Sequence, residues 1–336
     1  GIGIQMFDRQ DYSYSRNGVY STKVFVNGKV ISHYKFDKLI INESKKLYQV
    51  IDYKNYTQKR LKIFKLFYKS GNKLNFMNTL VDQGIFKVEL GKSYQIIIEV
   101  EDFSGNKSII EAFIEGTENK IKPVELRGRL IKTDREYSFT LKNKELFFPS
   151  KTFFNDVKIE LFENKDQIEI GPNLFPIANS FKIKFVFNEK DSLRSAQTFI
   201  AKKMKKSLVY LPTKLEENKL IAKVNELGVY TLARDSVAPT VVPDNFKKNQ
   251  WLSNYKSLNL KIDDDFSGIK KYRGTINGEW VLFEYEPKRK ILTHDFFDKY
   301  SEKLKHNLEL EVEDNVGNKK IYKTTFFRKY DYKNEN

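Results

Sequence analysis

Apolar and polar residues alternate with a period of two along most of this 336-residue chain. The alternation is clearest in Val24–Val26, Phe181–Phe187, Leu258–Ile262 and Leu308–Val312. Successive side chains of a strand point to opposite faces, so these segments are predicted to be strands with one buried face. Helical periodicity is weak, and only Leu74–Leu80 and Asp191–Ala196 suggest short helical turns. The pattern predicts an all-β protein.

The chain carries the same arrangement of turns and strands twice. The repeated landmarks are Asn17-Gly18, Asn27-Gly28 and Asp102–Asn106 in the first copy, and Ser267-Gly268, Asn277-Gly278 and Asp314–Asn318 in the second. Asn-Gly is a strong signal for a two-residue hairpin turn, because both central residues of a type I′ turn need positive φ. Repeated β-modules usually display or position something, so the repeat favours a non-catalytic role.

Two polar segments that contain proline, 116–123 and 235–243, divide the chain. Proline fixes its own φ and restricts the preceding residue, so both segments are predicted to run extended between domains. We therefore predict three tandem antiparallel β-sandwich domains of immunoglobulin-like type at residues 1–118, 119–236 and 237–330, followed by a polar tail at 331–336.

The first domain is predicted to contain an insertion at about residues 36–86. The interval between the shared Asn-Gly and Asp landmarks is 75 positions in the first copy and 37 in the second. The insertion is rich in aromatic residues, namely Tyr48, Tyr53, Tyr56, Phe64, Phe67, Tyr68 and Phe76. They indicate either a specific contact surface at the sandwich edge or a small core of the insertion itself.

Lysine and arginine number 60 against 44 aspartate and glutamate residues, which gives a formal charge of +16. Such a surface attracts polyanions, including nucleic acid, anionic lipid and acidic wall polymers. The lysines are nevertheless scattered along the strands, and the densest run, Lys202–Lys206, lacks the glycine and aromatic pattern of an RNA-binding domain. We favour a well-solvated surface and predict no nucleic-acid partner.

The chain has no cysteine, which excludes disulfides, thiol catalysis and cysteine-ligated zinc. No apolar run reaches the length of a membrane helix, so the chain is not expected to span a membrane. The segment Gly1–Asp8 has the pattern of a strand interior and no signal-peptide features. We therefore expect the N-terminus to have been cut from a longer precursor.

No catalytic residue is predicted. The three histidines, His33, His294 and His306, lack any zinc-ligand spacing and are expected to be ordinary surface or edge residues. Ser32 and His33 are neighbours on a predicted strand and point to opposite faces, so they do not form a catalytic pair. The chain also lacks a glycine-rich phosphate loop and a Gly-x-Ser-x-Gly turn.

Acidic and amide side chains follow two predicted strands of the third domain. They are Asp263, Asp264, Asp265, Asp314, Asn315 and Asn318. If both strands end at one pole of a sandwich, these oxygens gather there, and calcium takes six to eight oxygen ligands. The alternative is that these side chains cap tight turns through hydrogen bonds to the backbone. Both interpretations remain open from the sequence.

A series of short segments occurs in a recognisable order. They are Phe7–Asp11, Asn17–Tyr20, Val50–Tyr53, Gly71–Leu74, Asp102–Asn106, Asp235–Thr240, Asp264–Ile269, Gly278–Val281 and Asp314–Asn318. The ordered series resembles the region that follows the catalytic domain in lysostaphin-type zinc metallopeptidases exported by Gram-negative bacteria. The resemblance implies a peptidoglycan endopeptidase as the parent protein and a location in the periplasm or cell envelope.

Enzymes of that family hold zinc with two histidines and one aspartate, and this chain has no matching set. Zinc is therefore expected in an upstream catalytic domain, and no cofactor is expected in this chain beyond the calcium considered above. We predict a non-catalytic accessory region that positions or regulates that domain and contacts peptidoglycan or an envelope protein. The alternatives are a stand-alone glycan-binding or adhesion protein and a structural subunit of an outer-membrane assembly.

Overall fold

The computed structural model describes residues 1–9, 14–38, 41–68, 74–118, 127–164, 166–187, 197–298 and 303–329. Strands in antiparallel sheets dominate these residues, which confirms the predicted all-β sandwich class. None of the helices in this part of the chain has the length and apolar character needed to cross a membrane. Internal contacts define two compact units, one of residues 1–141, 145–183 and 224–229, and one of residues 142–144, 184–223 and 230–336.

The first module lies within the predicted first domain. Its strands are β1 (Gly3–Ile4), β2 (Asp8–Arg9), β3 (Arg16–Asn17), β4 (Ser21–Val26), β5 (Lys29–Lys35), β6 (Phe64–Lys65), β7 (Met77–Leu80), β8 (Ser93–Glu101) and β9 (Lys107–Glu115). They form a five-stranded sheet in the order β7-β5-β4-β8-β9 and two-stranded ribbons from β1 with β6 and from β2 with β3.

The predicted insertion supplies the other layer of the first module. It contains a 3₁₀ segment at Ile41–Gln49, helix α1 at Tyr53–Lys59 and a turn at Val81–Gly84, in which Asp82 and Gln83 have left-handed φ values of 47° and 60°. The side chain of Asp52 caps α1 by accepting a hydrogen bond from the backbone N–H of Asn55, and the helix ends where Arg60 adopts a left-handed φ of 59°.

The core of the first module combines sheet residues with rings of the insertion. Val24 and Ile96 from the sheet share one cluster with Tyr68 and Phe76, which are 7% and 4% exposed. This arrangement places Tyr68 and Phe76 in a core shared with the sheet, rather than in the small separate core considered for the insertion. It does not account for Tyr48, Tyr53 and Tyr56, which form a separate, half-buried cluster of rings.

The middle module lies within the predicted second domain. Its strands are β10 (Arg129–Ile131), β11 (Tyr137–Leu141), β12 (Lys144–Phe148), β13 (Val157–Glu163), β14 (Gln167–Gly171), β15 (Phe181–Val186), β16 (Thr198–Lys203), β17 (Leu208–Tyr210), β18 (Thr213–Glu216), β19 (Lys219–Val224) and β20 (Gly228–Arg234). They form sheets in the orders β10-β13-β14-β20-β16-β17 and β11-β12-β15-β19-β18. The alternation in β15 buries Phe181, Ile183 and Phe185 completely.

The third module lies within the predicted third domain. Its strands are β21 (Thr240–Pro243), β22 (Gln250–Trp251), β23 (Ser257–Asp263), β24 (Ile269–Ile276), β25 (Glu279–Val281), β26 (Glu284–Glu286), β27 (Ile291–Asp295), β28 (Lys305–Asp314) and β29 (Lys319–Phe327). They form sheets in the orders β21-β23-β27-β26 and β22-β29-β28-β24-β25. Leu258, Leu260 and Ile262 from one sheet pack in a single core with Leu308 and Leu310 from the other.

The sequence repeat corresponds to a repeated sheet. The order β9-β8-β4-β5 in the first module has its equivalent in β29-β28-β24-β25 of the third. In both hairpins the Asn-Gly pair has positive φ, with values of 48° and 77° at Asn27 and Gly28 and of 54° and 84° at Asn277 and Gly278. The predicted type I′ turns are therefore confirmed.

Each hairpin turn is also bonded to the next strand in the same way. The side-chain oxygen of Asn27 accepts from the N–H of Gln95 at 2.8 Å, and the backbone N–H of Asn27 donates to the carbonyl of Gln95 at 2.9 Å. Asn277 makes the same pair of bonds with Asn307 at 2.9 Å and 2.8 Å. These contacts explain why asparagine recurs at this position of the repeat.

Some expectations from the sequence are corrected or lie outside the described residues. Leu74–Leu80 is not a helical turn, because it leads into strand β7, whose register is set by pairing with β5. The predicted turn at Asp191–Ala196 and the tail at 331–336 are outside the described part of the chain. The domain boundaries remain predictions, although no described sheet combines strands from two of the three predicted domains.

Candidate functional sites

Three carboxylates meet at one end of the third module. Asp235 follows strand β20, Asp264 follows β23, and Asp314 is the last residue of β28. Each offers an oxygen within 4.8 Å of the other two. Asp235 is 2% exposed and Asp314 is fully buried, so the cluster lies largely out of solvent.

Backbone N–H groups converge on this acidic cluster. Oδ1 of Asp314 accepts from the N–H groups of Val316 and Asn318 at 2.9 Å and 2.8 Å. Oδ2 of Asp314 accepts from Nδ2 of Asn318 at 2.6 Å. Asp235 accepts from the N–H groups of Val237 and Ser267, both at 3.1 Å. Turn capping, the alternative raised by the sequence, therefore accounts for part of the acidic cluster.

The capping bonds do not remove the repulsion among the three negative charges. Burial raises the pKa of the Asp264 carboxyl, and the nearby charges of Asp235 and Asp314 raise it further. In the described part of the chain, no ion pair links a lysine or arginine to any of the three carboxylates. The oxygen-rich set suits a hard cation such as calcium by ligand type.

The sequence located two of the three acids. Asp264 and Asp314 were in the predicted calcium set, whereas Asp263 pairs with Lys290 Nζ at 2.6 Å and Asp265 is exposed. Asn315 and Asn318 turn their amide nitrogens to carbonyl or carboxylate oxygens, so they support the loops. Asp235 was missed as a ligand, because it precedes the module and only folding brings it to the other acids. Calcium binding remains a prediction.

A second candidate site is a groove of about 450 Å³ in the first compact unit. One wall comes from the insertion of the first module and the other from two loops of the middle module. The aromatic residues of the insertion wall are Tyr48, Tyr53, Phe67 and Tyr68. Those of the opposite wall are Phe153, Phe154 and Phe175. We call this the aromatic groove.

The polar residues of the aromatic groove have balanced charges. They are Gln49, Asp52, Lys54, Lys65, Asn155 and Asp156. Two carboxylates and two ammonium groups give this lining no net formal charge, in contrast to the +16 of the whole chain. The set supplies both hydrogen-bond donors and acceptors around the aromatic rings.

Hydrogen bonds fix several of the groove residues. Burial raises the pKa of Asp52, but the hydrogen bonds from the backbone and side chain of Asn55 outweigh it and lower the pKa below the usual value. Tyr68 donates its hydroxyl to Oε1 of Gln49 at 3.3 Å. Oδ1 of Asp156 accepts from the N–H of Thr133 at 2.9 Å. These polar groups are therefore held in place before any ligand arrives.

The tyrosines at the groove form a cluster of their own. The ring of Tyr48 lies 5.8 Å from those of Tyr53 and Tyr56, at interplanar angles of 86° and 46°. Burial, with smaller effects from Tyr48 and Tyr56, raises the pKa of Tyr53 to about 12. The Tyr53 hydroxyl therefore stays protonated and able to donate a hydrogen bond at neutral pH.

The histidines do not contribute to a site. His294 and His306 are each 1% exposed, so the expectation that they are surface or edge residues is wrong for both. His294 bonds through Nδ1 to the carbonyl of Leu282 at 2.9 Å, and His306 stacks on Phe326 with ring centroids 4.9 Å apart. His33 Nε2 lies 3.3 Å from Oγ of Ser21, but that serine is only 5% exposed on a sheet and is not positioned to attack a substrate.

The fold and these sites define a modular all-β protein with a buried acidic cluster and an aromatic groove. Comparison with protein families matches residues 128–235, within the middle module, to the Zu5-like domain. No curated protein matches the chain.

Two solved structures resemble the chain at low similarity. One is the SGBP-B protein of the mixed-linkage glucan utilization locus of Bacteroides ovatus, in complex with a mixed-linkage heptasaccharide, at 11% identity and a TM-score of 0.18. The match covers 93% of this chain and 60% of that one. The other is a structure described in connection with the host cell surface retention of a 1.5-MDa bacterial ice-binding adhesin, at 8% identity and a TM-score of 0.21. This match covers 94% of this chain and 89% of that one. Likenesses this low carry no argument about function.

Proposed function

We propose that this chain is a non-catalytic glycan-binding region of the bacterial cell envelope and that the aromatic groove is its binding site. The observation that supports the proposal is the composition of the groove, in which seven aromatic residues surround a balanced set of donors and acceptors. Small-molecule sites are concave and mostly apolar, with a few fixed polar groups that orient the ligand.

The ligand class follows from the chemistry of the lining. The C–H faces of a pyranose ring are apolar and fit against aromatic rings, whereas its hydroxyl groups both donate and accept hydrogen bonds. A groove without net charge favours a neutral sugar chain over a polyanion. The volume of about 450 Å³ lies within the usual range for small-ligand sites and fits a short stretch of sugar residues.

The test is a binding titration with soluble glycan fragments. Isothermal titration calorimetry with peptidoglycan glycan fragments and with neutral oligosaccharides should detect binding by the whole chain. Phe154→Ala and Phe175→Ala each remove a half-buried ring from the groove wall, and we expect affinity to fall about tenfold for each, the effect typical of a central aromatic contact.

Phe162→Ala is the matched control. Phe162 is an aromatic residue of the same compact unit, 57% exposed on β13 and outside the groove, so its loss should leave affinity unchanged. Circular dichroism and a melting curve check that each variant folds. Equal affinities of wild type and both groove variants, or no binding to any of these sugars, would contradict the proposal.

A second proposal concerns the parent protein. The ordered segments that resemble the region following the catalytic domain of lysostaphin-type zinc metallopeptidases support a role as the accessory region of a peptidoglycan endopeptidase in the periplasm or cell envelope. On this proposal, the chain positions an upstream zinc domain on its substrate. The native protein extracted from cells should then be much larger than this chain and should contain zinc. A native species of this size without zinc would favour a stand-alone binding protein.

A further inference from the structure

Strand β9 is a long and unusually exposed sheet edge. It is the last strand in the order β7-β5-β4-β8-β9, and its nine residues pair with β8 alone among the described strands. Three large apolar side chains stand exposed on it, with Ile109 at 63%, Ile110 at 49% and Phe113 at 73%. An exposed apolar edge strand is a template for pairing with another chain.

The register of β8 and β9 shows which backbone groups are free to pair. The N–H of Asp102 donates to the carbonyl of Asn106 at 3.0 Å, and the N–H of Gly116 donates to the carbonyl of Lys92 at 2.9 Å. The hydrogen-bonded pairs therefore fall on even-numbered residues of β9, because such pairs alternate along an antiparallel ladder. The odd-numbered residues direct their N–H and C=O groups away from β8. These residues are Lys107, Ile109, Glu111, Phe113 and Glu115.

In the related third module, the sheet edge that corresponds to β9 is paired with a further strand. There the counterpart of β9 is β29, and the two-residue strand β22 pairs with its outer side in the parallel direction, through Gln250 with Phe326 and Trp251 with Phe327. No described strand occupies this position beside β9. The two sheets thus share an order, and among the described strands one lies beside β29 and none lies beside β9.

We propose that β9 pairs with β9 of a second copy of this chain and forms a two-fold antiparallel dimer. The odd-numbered residues are self-complementary about Glu111. Lys107 then faces Glu115 of the second copy, so opposite charges meet on both sides of the axis. Ile109 faces Phe113 of the second copy, which buries the two most exposed apolar side chains of the strand.

Glu111 is the one unfavourable position in this register. It faces Glu111 of the second copy across the axis, and directly opposed like charges destabilise a sheet pair. Within its own chain, the Glu111 carboxylate accepts a hydrogen bond from Nε2 of Gln95 at 2.5 Å, which draws it toward β8. The dimer should therefore be reversible, and removal of the Glu111 charge should tighten it. Each chain binds the other through its own β9 edge, so the dimer has no free β9 edge left to bind a third chain. The assembly therefore closes at two chains.

Sedimentation equilibrium of the whole chain over a wide range of concentrations tests the proposal. We expect a reversible monomer–dimer equilibrium, several-fold tighter in Glu111→Gln and abolished in Phe113→Lys. Lys107→Glu and Glu115→Lys should each weaken the dimer several-fold, because each change places like charges opposite one another twice. The double variant with both Lys107→Glu and Glu115→Lys should restore the wild-type affinity. If the single variants lost affinity only because they unfold, the double variant would not recover it.

Phe162→Lys is the control, since it adds a charge at an exposed aromatic position on β13 away from this edge. It should leave the dimer unchanged. A chain that stays monomeric at the highest concentration overturns the proposal. So does an assembly that continues beyond two chains, or a dimer that is insensitive to Phe113→Lys and to the charge exchange.

Discussion

At the scale of residues, the burial of His294 and His306 makes the stability of the third module depend on pH. Burial lowers the pKa of both, with smaller opposing effects from neighbouring acids or backbone groups. The unfolded chain has the ordinary histidine pKa of about 6.5, so it takes up protons more readily than the folded chain below that pH. The third module should therefore keep its full stability above about pH 6.5 and lose stability as the pH falls toward the lowered folded pKa values.

Urea unfolding followed by tryptophan fluorescence measures this effect, because both tryptophans, Trp251 and Trp280, lie in the third module. The midpoint should be flat near neutral pH and fall between about pH 6.5 and about pH 5.5. His306→Phe retains an aromatic ring against Phe326 and should reduce the slope. An unchanged midpoint across this range would contradict the prediction. Lower pH is avoided because Asp264 has a raised pKa in the folded chain. Its protonation at lower pH stabilises the folded form and would oppose the effect of the histidines.

At the scale of elements, the loops after β20, β23 and β28 determine whether the acidic cluster holds a cation. If calcium binds the folded module, it stabilises that state by mass action, by roughly 2.7 kcal/mol when free calcium is about 100 times its dissociation constant. We expect the melting temperature to rise with calcium and to fall with a chelator. Asp264→Asn should abolish the difference between the two conditions, because it removes one ligand charge.

Asp263→Asn is the control for this experiment, since Asp263 is paired with Lys290 outside the acidic cluster. It should leave the response to calcium intact. A wild-type chain that melts at the same temperature with calcium and with chelator would reject a calcium site. In that case, Asp264→Asn should raise the melting temperature, because the three carboxylates repel one another without a cation.

The elements also show where sequence reasoning was reliable. The Asn27-Gly28 and Asn277-Gly278 turns were predictable, because few residue pairs accept positive φ at both positions. The aspartate and asparagine of each Asp-x-x-Gly-Asn turn bond to one another in both modules, so the repeat has a local cause. Strand β7 was not predictable as a strand, because four residues carry little periodicity and their conformation comes from pairing with β5.

At the scale of the whole molecule, the formal charge of +16 comes from lysines and arginines that are spread along the sequence. On the outer face of the third module, lysines pair with the glutamates of β28. Lys319 bonds to Glu311 and Lys323 to Glu309, both at 2.8 Å. A lysine that is paired with a glutamate attracts a polyanion less strongly than a lysine without such a partner. Long-range attraction between the basic chain and a polyanion nevertheless persists at low salt.

We therefore predict that duplex DNA binds the chain weakly, without sequence preference, and that binding is lost at about 150 mM salt. Fluorescence anisotropy with labelled duplexes of different sequence at low and near-physiological salt measures this. Tight binding that survives near-physiological salt and discriminates between sequences would contradict the prediction.

The sequence by itself determined the class of fold, the repeat and its turns, because alternation, Asn-Gly pairs and prolines act over a few residues. It also placed Asp264 and Asp314 at one pole, since both end strands of one sandwich. Only the tertiary structure added Asp235 to them and joined Tyr48 and Tyr53 to Phe154 and Phe175 across the aromatic groove. These groupings bring together residues 29 to 127 positions apart in the chain, and local preferences do not specify which distant segments meet.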